Sequence, residues 1–208
     1  MTGKFNKIGI WKKFLGRIGK HFYWWKANKT SGLMFTVTIL ECIKTLIELN
    51  NGDIIEGMRQ SSNVGSLVGK EVVSELLGAG EMIFSKRVED MPYLIKVAWY
   101  IFLNDEIEDI EYLPKTAEEP HRVVWKLSDC MFCKYLEYET EYNFDQNTLK
   151  TKETRLTYGS PVTKAVESII NEILDYVESE YRCEVYETKC IQNGDPYPEY
   201  TAYYYTRE

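Results

Sequence analysis

The sequence predicts an α/β protein of the α+β kind, in which a layer of helices packs on a small, mostly antiparallel sheet. Three observations point to it. Apolar residues recur at steps of three and four through most of residues 8 to 103, the period of a helix face. From residue 106 the pattern changes to short β-branched and aromatic runs of strand character. A strongly periodic segment beginning at Ser160 then leads into two aromatic runs joined by Asn193, Gly194, Asp195 and Pro196, residues that suit a tight turn. With 208 residues, 44% of them hydrophobic, the chain can fill one core. We divide it into an arm, residues 1 to 30, and a body, residues 31 to 208.

The arm carries eight Lys or Arg and no acid, whereas all 32 acidic residues lie in the body, and the chain as a whole is at −7. An acidic body repels nucleic-acid phosphate, so only the arm is suited to an anionic surface. In KIGIWKKFLGRIGKHFYWW, Ile8, Trp11, Phe14, Leu15, Ile18, Phe22 and Trp25 fall on one helical face. Lys12, Lys13, Arg17 and Lys20 lie mostly off it, which marks Trp11, Lys12, Lys13, Arg17 and Lys20 as candidate membrane-binding residues. The same pattern serves a helix docked on a partner or on the acidic body. Gly9, Gly16 and Gly19 each cost a free helix about 1 kcal/mol, so a loosely ordered arm is a third reading.

LMFTVTILECIKTLIEL, closed by Asn50, Asn51 and Gly52, is long and lacks strict alternation, which favours a helix. A second helix begins at Asp53, a good N-cap, and stops at Gly78 and Gly80. It bears a line of small residues, Ser61, Gly65 and Gly69, with Ser62 and Ser66 beside them. Helical glycines cost stability, so something is expected to approach this backbone closely: another helix, or a slender ligand in a groove. A third helix over about 88 to 103 is apolar almost all round, with Lys96 the exception, and should be largely buried. Met91 and Trp99 read as core rather than cofactor contacts.

EIEDIEYL and RVVWKLSDCMFCKYLEY read as strands, and EYNFDQNTLKTKETRLT as a long loop or exposed hairpin. The next helix has Ser160 as N-cap, Pro161 in its first turn and an apolar stripe from Val162 to Val177. CEVYETKCIQ and YPEYTAYYY form the closing hairpin.

Two stretches carry a resemblance. VYETKCIQNGDPYPEY resembles the C-terminal hairpin of the 4-vinyl reductase-type small-molecule-binding domain, of the form E-x-x-C-x-x-x-G-D-x-x-C, with Glu187, Cys190, Gly194 and Asp195 in place. FTVTILECIKTL, IIEGMRQSSNVGSLVGKEVVSELL and VAWYIFLN resemble the helical half of transport protein particle (TRAPP) subunits of the Bet3 type, which share that fold. Together they span about residues 33 to 205. The resemblance implies pairing through the helices into a dimer. In zinc-bearing members the metal is held by the glutamate, the two hairpin cysteines and a cysteine before the last helix. Here Pro198 replaces the second hairpin cysteine and Tyr158 lies near the place of the preceding one. Glu187 and Cys190 are thus relic candidates, since a structural zinc takes four ligands. The TRAPP family can also carry an acylated cysteine at the start of its second helical region. None stands between residues 78 and 84, and Cys42 lies early, so covalent acylation is not expected.

Five cysteines, at 42, 130, 133, 183 and 190, are odd in number and suit a reducing compartment. Cys130 and Cys133 read as buried thiols, with a zinc site built from them plus Cys183 and Cys190 as the other reading. The chain has no run of eighteen uncharged apolar residues and no signal-peptide pattern, so we expect a cytoplasmic protein that its arm could hold at a membrane. The two histidines, His21 and His121, have no acid–nucleophile pattern near them, and no nucleotide, hydrolase or metalloprotease motif occurs. The expected function is therefore non-enzymatic and without cofactor. We expect a dimeric module holding a small hydrophobic molecule or acyl chain near Ser61, Gly65, Gly69, Leu94, Ala98 and Phe102. The alternative is a TRAPP-like scaffold that assembles with related subunits at a membrane.

Overall fold

Asp53 starts the longest helix as its sequence predicts: its Oδ1 accepts the Glu56 N–H at 3.0 Å. The turn before it depends on Gly52 at φ +85° and Asn51 at φ 57°, with the Gly52 N–H reaching back to the Ile47 carbonyl at 2.9 Å. The computed structural model describes residues 7–26, 32–103, 106–128, 155–191 and 194–207. Within them lie helices α1 (Ile10–Lys26), α2 (Gly32–Leu49), α3 (Ile54–Gly80), α4 (Met91–Leu103) and α5 (Ser160–Tyr176). The strands are β1 (Ile107–Leu113), β2 (His121–Leu127), β3 (Tyr181–Lys189) and β4 (Glu199–Thr206).

The four strands form one antiparallel sheet in the order β1-β2-β4-β3. On its edge, β1 exposes Glu108, Asp109 and Glu111, charges that discourage pairing with another chain. The face turned to the helices carries Val123, Trp125, Val185, Ala202 and Tyr204, all at most 1% exposed. Ile170, Ile173 and Leu174 of α5 and Leu94 and Trp99 of α4 join them in one core. Trp125 stacks on Tyr200 at 5.7 Å between ring centroids and meets the edge of Trp99 at 6.1 Å.

The small-residue line of α3 lies against α5. A Cβ on Gly65 would stand 2.0 Å from the Pro161 carbonyl oxygen, and one on Gly69 would stand 2.3 Å from that of Ala165. Ser66 and Ser168 hydroxyls meet at 2.6 Å across the same contact. Close helix packing, one of the two readings of this stripe, is what these glycines permit.

Two helix boundaries differ from expectation. Ser160 is the first residue of α5 rather than its cap; Gly159 holds the cap position, and the Ser160 hydroxyl instead accepts the Thr157 N–H at 2.7 Å. The helix expected from 88 opens as a separate 3-10 turn, Val88–Asp90, and α4 begins at Met91, where the missing N–H of Pro92 costs nothing. The strand expected over 122 to 138 is described only as β2, because residues 129–154, Cys130 and Cys133 among them, lie outside the described residues.

Candidate functional site

Above the sheet, α2, α3, α4 and α5 diverge around a cavity of about 400 Å³. This lies within the roughly 300–1,000 Å³ of small-molecule sites. Each helix supplies one row of its apolar stripe: Phe35 and Ile39 from α2, Val72 from α3, Leu94 and Ile95 from α4, Val166 and Ile169 from α5. The stripe of α5 is wide enough to serve two surfaces. Ile173 and Leu174 are buried in the core, half-buried Ala165, Val166 and Ile169 face the cavity, and Ile170 belongs to both.

Of the positions proposed from sequence, Ser61, Gly65, Gly69, Leu94 and Ala98 line this cavity. Phe102 belongs to α4, but its side chain lies outside the described residues. The contributions of α2 and α5 were missed. The eight-position stripe of α5, broader than one core face requires, was the available signal for the second. Cys42, set aside from its place in the chain, also lines the cavity. Polar groups in the wall are few. The Ser61 hydroxyl donates to the Met58 carbonyl at 2.8 Å, and the buried indole N–H of Trp99 has no hydrogen-bond partner. Such a wall favours an apolar occupant. The cavity opens between α2 and α3, where Val64 and Val68 are 43% and 51% exposed.

The hairpin residues form a different, smaller constellation. Cys190 is buried, and its N–H donates to the Asp195 carboxylate at 2.9 Å. The Oε2 of Glu187 is sealed from solvent without a hydrogen-bond partner, 2.7 Å from where a Cβ of Gly159 would stand. Burial pushes the Glu187 carboxyl above the usual carboxylate range. Tyr158, in the place considered for the missing cysteine, is buried beside the α2–α3 turn with Ile47 and Met58. Among the described residues, no three His, Cys, Asp or Glu side chains stand close enough to hold a metal ion.

Among the described residues, neither histidine sits with a nucleophile in a catalytic arrangement. His21 meets Tyr100 at 3.3 Å. His121 lies between Tyr112 and Tyr181, and its Nδ1 accepts the Lys115 N–H at 3.1 Å, which leaves the ring proton on Nε2.

The candidate membrane residues stand on α1. Trp11 is 77% exposed, Lys13 and Arg17 are exposed, and Lys12 and Lys20 are half-buried. Among the described residues, no helix is long and apolar enough to cross a membrane.

No family model and no curated protein matches the chain. Among solved structures the chain is similar to a trafficking protein particle complex subunit 3 from Naegleria fowleri, whose structure is described as covalently bound to palmitic acid. The superposition has a TM-score of 0.56 at 16% sequence identity and covers 85% of this chain and 98% of that one. The likeness identifies the fold as TRAPP-like, an α+β arrangement of helices on a four-stranded antiparallel sheet.

Proposed function

We propose that this protein is a non-enzymatic assembly subunit of TRAPP-like architecture that holds a long apolar chain, of the fatty-acyl class, between its helices. The cavity bounded by α2, α3, α4 and α5 carries this reading: it is apolar, of ligand size, and lies in a fold shared with a subunit whose structure holds palmitate. The proposed contacts are Ser61, Gly65, Gly69, Leu94 and Ala98, together with Phe35 and Ile169 across the cavity. Cys42 sets a thiol in the wall. An acyl chain there has two modes of retention: as the free acid, or as a thioester formed when the Cys42 thiol takes the acyl group from an activated acyl thioester and that donor's thiol leaves.

Assembly with other subunits draws support from the apolar rim. Val64, Leu67 and Val68 on α3 and Met34 and Val37 on α2 are between 40% and 65% exposed. Their spacing of three and four gives each helix an outward apolar row, the kind of surface a partner helix pair covers. A homodimer closing the cavity is the simplest such assembly, and a related subunit is the other. A second function also fits the apolar cavity: a stand-alone binder of a small hydrophobic molecule, of the 4-vinyl reductase type. It differs in needing no sister subunit.

Native and denaturing mass spectrometry of the purified protein tests the ligand. We expect an acyl-sized adduct under native conditions. Its loss on denaturation means a free fatty acid; its survival until hydroxylamine treatment means a thioester, which Cys42→Ser abolishes if that thiol carries it. Ala98→Leu, which adds bulk to the wall, should lower added fatty-acid affinity by about tenfold without lowering the ligand-free melting temperature. A metal-free apo protein that gains no thermal stability from fatty acids at 100 times any plausible Kd, where about 2.7 kcal/mol is due, overturns the ligand reading. Recovery of sister subunits by affinity purification, against a chain found alone, separates the assembly subunit from the stand-alone binder.

A further inference from the structure

Helix α1 is docked with its apolar side facing solvent. At 3.6 residues per turn, Ile10, Trp11, Phe14, Leu15 and Ile18 share one arc, and they are 87%, 77%, 52%, 45% and 56% exposed. The side against the body is the glycine side. Gly16 is buried, and a Cβ there would stand 2.3 Å from the Tyr93 hydroxyl. That hydroxyl donates to the Lys13 carbonyl at 2.7 Å. Just before the helix, Ile8 is 2% exposed and its N–H is held by the buried Asp90 carboxylate at 3.0 Å. A helix whose apolar arc served its own body would dock the other way round. The glycines read from sequence as a weakness of a free helix include the one that allows this close approach.

The cations complete the pattern. Lys13 lies over the Tyr93 ring at 5.8 Å and Lys20 over the Tyr100 ring at 4.2 Å, so both stand on the flank between the docked side and the apolar arc. Arg17, exposed, lies between them along the helix. If the arc enters the acyl boundary of a bilayer, this flank lies at headgroup depth, where lysine and arginine meet anionic lipid. Residues 1 to 30 contain no acid that would oppose the contact, whereas the acidic residues all lie beyond them. Charge therefore calls for an anionic occupant, and the exposed Trp11, Phe14 and Ile18 beside these cations fit the apolar boundary under a layer of anionic headgroups.

We propose that α1 seats the protein on an anionic membrane surface, with Trp11, Phe14 and Ile18 in the acyl boundary and Lys13, Arg17 and Lys20 among the phosphates. The seat is independent of what fills the cavity. The test is sedimentation of the full chain with phosphatidylcholine vesicles that contain or lack phosphatidylserine. Two variants accompany it, Phe14→Ser/Ile18→Ser and Lys13→Glu/Arg17→Glu, both leaving Gly16 and Tyr93 in place and both checked for an unchanged melting temperature. Expected are binding that requires phosphatidylserine, weakens with salt, and falls by about tenfold or more in each variant. Three results overturn the proposal: no sedimentation of the wild type, equal binding to both vesicle types, or variants that bind as the wild type does. A concentration-dependent dimer that Phe14→Ser/Ile18→Ser dissolves while vesicle binding persists also overturns it, and gives the apolar arc to a second copy.

Discussion

Burial raises the Glu187 carboxyl above the usual carboxylate range, while Thr157, Cys190, the Gly159 amide and Tyr200 around it pull it part of the way back. The folded protein therefore holds this proton more tightly than the unfolded chain does. The stabilisation is fully present below the ordinary carboxyl range and is lost as pH rises through the raised folded value. Glu187→Gln removes the titration. We expect the variant to gain on the wild type in urea midpoint as pH rises across that window, and a difference that stays constant with pH would refute the assignment. Glu187 is a sealed acid beside the buried thiol of Cys190.

Contacts between elements separate what the chain reveals about itself from what only the fold can. The line of Ser61, Gly65 and Gly69 announced a close approach, but nothing local named the partner as Pro161 and Ala165, about a hundred residues away. We expect Gly65→Ala to cost about 2 kcal/mol or more in chemical denaturation, since its Cβ meets a backbone oxygen and the α3–α5 contact must open. Gly9→Ala, with nothing within 4 Å of its Cβ, serves as the neutral control. Strong caps and stripes were legible for the same local reason: Asp53, the periodicity of α5, and Gly194 at φ +82° act on their own neighbourhood. Ser160 misled because a serine before a proline fits a cap equally well, and only the placement of Thr157 sends its hydroxyl backward. The cavity was half legible. Its α3 and α4 walls advertise themselves by small and bulky residues, whereas Phe35, Cys42 and Ile169 look like ordinary core until four helices are set around them. The amphipathic pattern of α1 was equally plain, yet its direction of docking was not, because an apolar arc does not say which way it faces.

For the whole molecule, the outward rows of α2 and α3 and the cavity mouth between them belong to one surface. If that surface is where copies or sister subunits meet, the charged substitution Leu67→Asp should leave the fold intact and convert a dimer to a monomer in analytical ultracentrifugation. A wild type that is monomeric at every concentration, or a variant that still dimerises, would place assembly elsewhere. Leu67 is 64% exposed and does not line the cavity, so this change tests the rim without altering the ligand wall.

The strand order has a consequence for how such a chain is made. β4, the latest of the four strands in chain order, lies between β2 and β3 and pairs with both. Among the described strands, β1 and β2 can form only a lone hairpin as the chain leaves the ribosome, which is marginal in water, and β3 emerges with no strand on either edge. Until the final strand arrives, the apolar faces of α4 and α5 have no finished sheet to cover. Nascent chains of this fold thus pass through a stage with bare apolar surface and unpaired edges, and that interval is where a holding chaperone would matter most.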